Sequence, residues 1–324
     1  MDFNVAFVIF NRPETTRQVF EQIRRARPGR LFAIADGPRA GVPSDVERCA
    51  ETRRIVDEGV DWDCEVLKNY AESNLTCRYR PASGFDWVFQ HVGHCIILED
   101  DCVPHPSFFP YCQELLERFY DDERVMAISG DNFQEGPART AYSYYFSDIV
   151  HIWGWATWKR AWDKYNVEIP VWPEIKNGGW MRDLFADPRV IEYWTLGLDS
   201  VYRGFNGWDL QFLLACWIHR GLCVLPSVNL ISNIGFGENA THTARSNASA
   251  NRPTAELEFP LVHPPYMIRD ARADRYTFEH YYKESLLSRM CRRAANNPDN
   301  VVYPILRRAW HFMRRRSKPG GLLS

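Results

Sequence analysis

Apolar and polar positions alternate in blocks along the first hundred residues. Val5 to Phe10 is an apolar run that predicts a first buried strand. "ETTRQVFEQIRRA" follows Pro13, and its Val19, Phe20, Ile23 and Ala26 recur at helical spacing behind a residue that suits a first helical turn. The block then repeats. "RLFAIADGPR" predicts a strand broken at Asp36-Gly37-Pro38, "SDVERCAETRRIVDEG" a helix, "DCEVLKN" a strand, and about Tyr79 to Val92 a helix. Cys95 to Leu98 predicts another buried strand, which stops at three adjacent carboxylates, Glu99, Asp100 and Asp101. Strand and helix in turn predict a parallel, doubly wound sheet, whose ligands bind beyond the carboxyl ends of the strands. Arg12, Asp36 and the acidic triplet all fall at such ends.

The second half is less regular. "PSFFPYCQELLERFY" predicts a helix and "VMAISG" a strand, after which the chain turns aromatic in "YSYYFSDIVHIWGWATWKRAWDKY". Helical stretches follow in "PRVIEYWTLGLDSVYRG" and "WDLQFLLACWIHRG", then the strand "LCVLPS" and a polar loop running to about Thr254. These patterns predict residues 1–263 as one catalytic domain, with a ligand-binding half at 1–135 and an aromatic half at 136–263 sharing one sheet. Residues 264–324 read as a basic helical extension. In "NVVYPILRRAWHFMRRR", Val302, Ile305, Leu306, Ala309 and Met313 form one helical stripe with arginines elsewhere, a pattern that suits packing on the domain or lying on an anionic membrane.

Composition narrows the function. The 324 residues are 45% hydrophobic, with 12 Trp, 15 Tyr and 19 Phe, enough to fill a large core. A net charge of -2 argues against general nucleic-acid binding, which needs a basic face. The nine cysteines lack a Cys-x-x-Cys pair, so neither a disulfide framework nor a zinc site is indicated. With an N-terminal apolar run too short for a signal or a membrane span, the expected location is the cytoplasm, with peripheral contact at the inner membrane face if the basic helix binds lipid. The Asn-x-Ser/Thr matches at Asn74, Asn239 and Asn247 are discounted as chance.

Three carboxylates ending a buried strand need a cation, a helix cap or a hydrogen-bonded ligand to offset their repulsion. Carboxylate oxygens at the edge of a parallel sheet suit Mn²⁺ or Mg²⁺ bridging to a diphosphate. No glycine-rich phosphate loop is present to do that work instead. The competing reading is that Asp100 or Asp101 caps the helix near Pro106.

Together with other segments, "ILEDDCVPHPSFFPYCQELLERF" resembles the metal-binding region of the glycosyltransferase A fold, most closely the N-acetylglucosaminyltransferase I-like enzymes and bacterial family 2-like sugar transferases. "VAFVIFNRPETTRQV" resembles that family's first strand and donor loop, "AIADGPR" its base-side Asp loop, "WGWATWKRAW" its acceptor segment, and "GWDLQFLLACWIHRGLCVLPSVNLISNIGFGENATHT" its base-bearing helix and closing loop. The resemblance implies an α/β fold of that type, with a mostly parallel central sheet flanked by helices. It implies Asp101 as the metal ligand, with Glu99 and Asp100 at the ribose or behind the metal, and Arg12 and Asp36 on the nucleotide; Arg78, ahead of the next helix, and His242, in a loop long enough to be a lid, are read as further donor contacts. Asp209 would be the catalytic base, and Trp153, Gly154 and Trp155 would face the acceptor. Arg78 and Arg80, placed ahead of a helix at Pro81, depart from the family's donor segment.

Each assignment has a plainer alternative. Arg12 could be a solvated loop residue, and the Asp-Gly-Pro turn by itself explains Asp36. Asp209 at a helix start could be a cap. Trp155, Trp158 and Trp162, spaced 3 and 4 apart, match a buried helix face, so core is expected for the last two, while Trp153 and Trp155 flank Gly154 and are read as acceptor-facing. The expected activity is metal-dependent inverting transfer from a UDP-linked sugar to a glycan or glycolipid hydroxyl, in bacterial surface polysaccharide assembly. Its rivals are a sugar-phosphate nucleotidyltransferase, whose glycine- and Lys/Arg-rich first loop "FNRPETT" does not supply, and a catalytically silent glycan-binding module.

Overall fold

The computed structural model describes residues 3–136, 139–236 and 250–282. His242 and the basic helix expected after Asn300 lie outside them. The chain divides into two compact units, residues 1–168 with 206–277, and residues 169–205 with 278–324.

The larger unit is built on an eight-stranded sheet. Its strands are β1 (Asn4–Ile9), β2 (Arg30–Ala35), β3 (Glu65–Tyr70), β4 (His94–Glu99), β6 (Val125–Ser129), β7 (Tyr144–Ser147), β8 (Trp155–Trp158) and β9 (Leu222–Pro226), in the order β3-β2-β1-β4-β8-β6-β9-β7. Strands β3, β2, β1 and β4 run parallel, as do β6 and β9. β8 and β7 run against their neighbours. The mostly parallel α/β sheet flanked by helices is the class expected, and the two halves share it. The apolar run Cys95 to Leu98, read as a buried strand, is fully covered, and so is Leu31 to Ala35 in β2; in β1, Val5 to Phe7 and Ile9 are covered while Val8 is half-buried.

α1 (Pro13–Ala26) and α2 (Pro43–Gly59) pack on the sheet side by side, each opened by a proline whose missing N–H costs nothing in a first turn. The third helix, α3 (Thr76–His91), starts earlier than the pattern suggests. Arg78 and Arg80 therefore lie within it, and Pro81 is an internal residue instead of the helix start. α4 (Phe108–Arg118) and α9 (Asp209–Ile218) complete the set that positions the site.

Trp158 and Trp162 are buried in the core, as their spacing suggests, but not on one helix. Trp155 to Trp158 is not a helix face but β8, inserted antiparallel between β4 and β6, with only the short α5 (Lys159–Trp162) after it. A strand covered on both faces shows no period of two, so the spacing mimicked a helix. The boundary at 264 also falls later. Arg269 bridges to Phe146, its guanidinium pairs with Asp148 and Asp274, and Asp274 accepts from Ser147 at 2.5 Å, so α10 (Ala271–Thr277) belongs to this unit. A buried carboxylate such as Asp274 needs those donors, which anchors the segment.

The smaller unit holds α6 (Trp172–Gly178), α7 (Met181–Leu184), α8 (Pro188–Tyr202) and a π-helical turn, Phe278–Tyr282. Asp199 ties α8 to α6, accepting from Trp172 Nε1 at 3.0 Å and from Lys176 Nζ at 2.8 Å. Among the described residues no helix is long and apolar enough to cross a membrane.

Candidate active site

Four neighbouring parallel strands deliver their carboxyl ends to one edge, and the site is assembled there. β1 runs beside β4 with Val8 opposite Glu99, so the loop leaving β1 meets the acidic triplet. The Phe10 N–H donates to Asp100 Oδ2 at 3.1 Å. Arg12, at the N-cap of α1, sends its guanidinium across: Nη1 reaches Asp101 Oδ2 at 2.6 Å and Nη2 pairs with Asp100 Oδ1. Its backbone is fixed by the Thr16 N–H at 3.0 Å and the Thr16 hydroxyl at 2.7 Å, both donating to the Arg12 carbonyl. Behind the triplet a two-stranded ribbon, β5 (Cys102–Pro104) against β10 (Ile231–Asn233), continues the chain. Asp101 is gripped there by the Ile234 N–H on its carbonyl, and Gly235 lies so close that a Cβ would stand 1.9 Å from Asp101 Oδ2.

Burial dominates the electrostatics. Desolvation pushes the Glu99 carboxyl up, and the charges of Asp101, Asp100 and Asp209 add to it while Arg12 opposes. Glu99 Oε1 is buried and has no hydrogen-bond partner among the described residues. Asp100 is likewise pushed up by burial, against the pull of Arg12. For Arg12 burial favours the neutral form, yet the fields of Asp100 and Asp101 outweigh it and raise its pKa. Removing Arg12 would leave two buried carboxylates uncompensated.

Beside the triplet a cavity of about 190 Å³ opens, lined by Arg12, Asp36, Arg39, Thr76, Cys77, Arg80, Glu99, Asp100 and Asn206 among others. Asp36, at the end of β2, accepts from the Gly37 and Leu75 N–H groups through Oδ1 and from Asn74 Nδ2 through Oδ2. Arg80 is buried against Asn69, donating to its carbonyl at 2.7 Å. At the mouth, Asp45 takes the Arg39 fork and Asn11 Nδ2, the latter at 2.7 Å, pinning the loop that carries Arg12 to the start of α2. Burial and the carboxylates of Glu99 and Asp209 push the Cys77 thiol up to about 12, so it is no nucleophile at neutral pH.

Asp209 is the first residue of α9, with Trp208 at the N-cap position, so the capping position is not its own. Its charge is felt by Glu99 and Cys77, which places it in the same field as the triplet. Arg78 points elsewhere: it donates to the Val167 carbonyl and pairs with Glu168 at 2.8 Å, and it does not line the cavity. Trp155 is fully buried, its ring stacked on Trp208 at 5.7 Å and near Phe212 at 5.2 Å. No face of it is left for an acceptor, which corrects the acceptor-facing reading. Trp153 is half-buried between the rings of Phe133 and Phe236. Gly154 adopts φ +58°, and any side chain there would strike Ile231 Cδ1 at 2.3 Å, so its role is close packing of β10 on the sheet end.

The sequence reading missed Asn74, Thr76, Cys77, Arg39 and Asn206. Asn74 offered a signal, since Asn two residues before a helix commonly folds its side chain onto a nearby N–H. Its Oδ1 accepts from Thr76 N at 3.1 Å.

The donor set has the chemistry of a hard divalent cation. Among the described residues, however, no three His, Cys, Asp or Glu side chains converge as a metal cage. Such an ion would hold on to Asp101 and take its remaining ligands from a diphosphate and water.

A sequence model of the GNT-I family matches residues 36–187. The matched span includes Asp36, the acidic triplet and Trp153 to Trp155, and ends before Asp209. The family resemblance read from the motifs is thus found independently over that span. An alpha-1,3-mannosyl-glycoprotein 2-beta-N-acetylglucosaminyltransferase of Arabidopsis thaliana is 29% identical over 160 residues, 47% of this chain and 34% of that protein. The chain therefore spans about a third of the length of this curated relative. Among solved structures, residues 1–349 of S. aureus TarS align at 9% identity and a TM-score of 0.40, over 70% of this chain and 58% of that one. The same segment in complex with UDP-GlcNAc aligns at 9% identity and 0.40, over 70% and 56%.

Proposed function

We propose that the chain is an inverting glycosyltransferase that moves N-acetylglucosamine, or a related sugar, from a uridine diphosphate donor to a glycan hydroxyl with the help of Mn²⁺ or Mg²⁺. The observation that carries this reading is the meeting of Arg12, Asp36, Glu99 and Asp100 around one cavity at the carboxyl ends of adjacent parallel strands, with Asp101 held to the same Arg12 and Asp209 in the same field. The matched family span and the name of the plant relative support the sugar.

In this reading the base and ribose enter the cavity, with Asp36 and Asn74 shaping the loop that receives them. Arg12 offers its fork to the diphosphate, a match of planar donors to paired oxygens. Asp101 would hold the divalent ion, which when bound would supply positive charge to offset that of the departing diphosphate. The acceptor oxygen attacks the anomeric carbon from the face opposite the leaving group, so one C–O bond forms as the bond to phosphate breaks. Asp209 takes the hydroxyl proton, and the electron pair leaves with the diphosphate.

Replacing Asp101 with Ala tests this. Calorimetry with UDP and Mn²⁺ should show metal-dependent binding lost in the variant; unchanged affinity would overturn the reading.

A further inference from the structure

All four carboxylate oxygens of Asp100 and Asp101 are already taken by donors of the chain. Arg12 holds Asp100 Oδ1 and Asp101 Oδ2, the Phe10 N–H holds Asp100 Oδ2, and the Cys102 thiol lies 3.4 Å from Asp101 Oδ1. Of these, Phe10 donates from the backbone and Cys102 is fully buried, so neither can withdraw without unfolding the site. Arg12 differs. Its side chain is 20% exposed and lines the cavity, and its flexible stem hangs from a backbone that is itself anchored.

We infer that Arg12 is an internal counter-cation that closes the Asp100 and Asp101 oxygens to a divalent ion until a diphosphate draws the guanidinium away. A guanidinium and a doubly charged ion cannot share two adjacent carboxylates without strong mutual repulsion, whereas a diphosphate brings enough negative charge to accommodate both. Its paired oxygens also offer the fork a geometry equal to the one it leaves. The free protein therefore takes up metal poorly, and ion and nucleotide enter as a pair. This rests on the glycosyltransferase reading, and it adds an order of binding that the acidic triplet alone would not impose.

Mn²⁺ binding to the full chain without nucleotide, followed by the electron spin resonance signal of the free ion, tests it in wild type, Arg12→Gln and Arg12→Met. Both variants should bind Mn²⁺ at least about ten-fold more tightly than wild type, and Mn²⁺ should raise their melting temperatures more than that of wild type. Equal or weaker binding in the variants overturns the inference. So does a wild type that binds Mn²⁺ alone as tightly as it does with UDP present, whatever the variants do. A separate arm measures the melting of wild type with Mn²⁺ plus UDP, GDP, CDP or ADP. Absence of stabilisation by every pair would sink the glycosyltransferase reading itself, an outcome distinguishable from failure of the Arg12 inference.

Discussion

Asp36 and Leu75, 39 positions apart, are joined by a 2.8 Å hydrogen bond from the Leu75 N–H to Asp36 Oδ1. The bond ties the end of β2 to the first turn of α3, and with the Gly37 and Asn74 contacts it makes the floor of the cavity a single braced loop pair. Burial pushes the Asp36 pKa up while the Leu75 and Gly37 N–H groups pull it down. Both backbone donors use Oδ1, and only the Asn74 amide uses Oδ2. Asn at position 36 can keep Oδ1 in place, but its NH2 group would then face the Asn74 amide, which cannot turn over because its Oδ1 accepts from the Thr76 N–H and its Nδ2 also donates to the Gly37 carbonyl. Asp36→Asn should therefore cost about 1 kcal/mol for the single bond lost, while Asp36→Ala, which strands three donors, should cost about 2–4 kcal/mol. Urea unfolding of the two variants checks the difference; equal costs would mean that the loop pair is not braced by this carboxylate.

Thr76 carries the strain of that loop. Its φ of +72° is left-handed, a conformation a β-branched residue adopts at a cost of about 1–3 kcal/mol. Asn74 holds it there, and Thr76 lines the cavity. Thr76→Gly should relieve the strain and raise stability by about 0.5–1 kcal/mol after glycine's own entropy cost in the first helical turn is deducted. Loss of stability in thermal unfolding would show that the side chain matters more than the backbone.

Asp45 couples the site to pH. It is 1% exposed, and the Arg39 side chain, together with the Arg39 N–H and Asn11, holds its carboxyl down at about 2. A depressed folded-state pKa contributes stability that is full above the ordinary value of 3.8 and fades as pH falls toward 2. Arg39 is half exposed, so solvent screening reduces the contribution to about 1 kcal/mol. Asp45→Asn should be less stable than wild type at pH 6 and nearly equal to it at pH 2. A gap that persists unchanged to pH 2 would assign the effect to packing.

The first half of the fold was legible because β1, β2 and β4 are apolar runs and α1 carries a clear 3.6-residue stripe in Val19, Phe20 and Ile23. The second half was not, because β7 and β8 are aromatic strands covered on both faces, whose residues carry no alternation to read. The site divides the same way. The acidic triplet announces itself as charge at the end of a buried strand. The grip of Arg12 on it depends on β1 lying beside β4 with Val8 opposite Glu99, a register that no local pattern encodes. Trp155 was misplaced for a related reason: nothing in "WGWATW" says which tryptophan turns toward Trp208 and which toward Phe236.

Asp209 separates chemistry from architecture. It opens α9, whose helix dipole favours a negative charge there, and Asn in its place keeps the size and the polarity of the first turn. If its carboxylate serves only the helix, Asp209→Asn should lose a few tenths of a kcal/mol in stability and little else. A general base supplies about 10²- to 10⁴-fold, so the proposed mechanism requires the variant to lose turnover by at least that lower figure. Affinity for UDP with Mn²⁺ should stay close to wild type, since Asp209 is not among the residues lining the nucleotide cavity. The two measurements must part for the assignment to stand. A variant that keeps most of its turnover would leave the acceptor proton without a carrier at this position, and Glu99, whose buried carboxyl feels the Asp209 charge, would be the next side chain to replace.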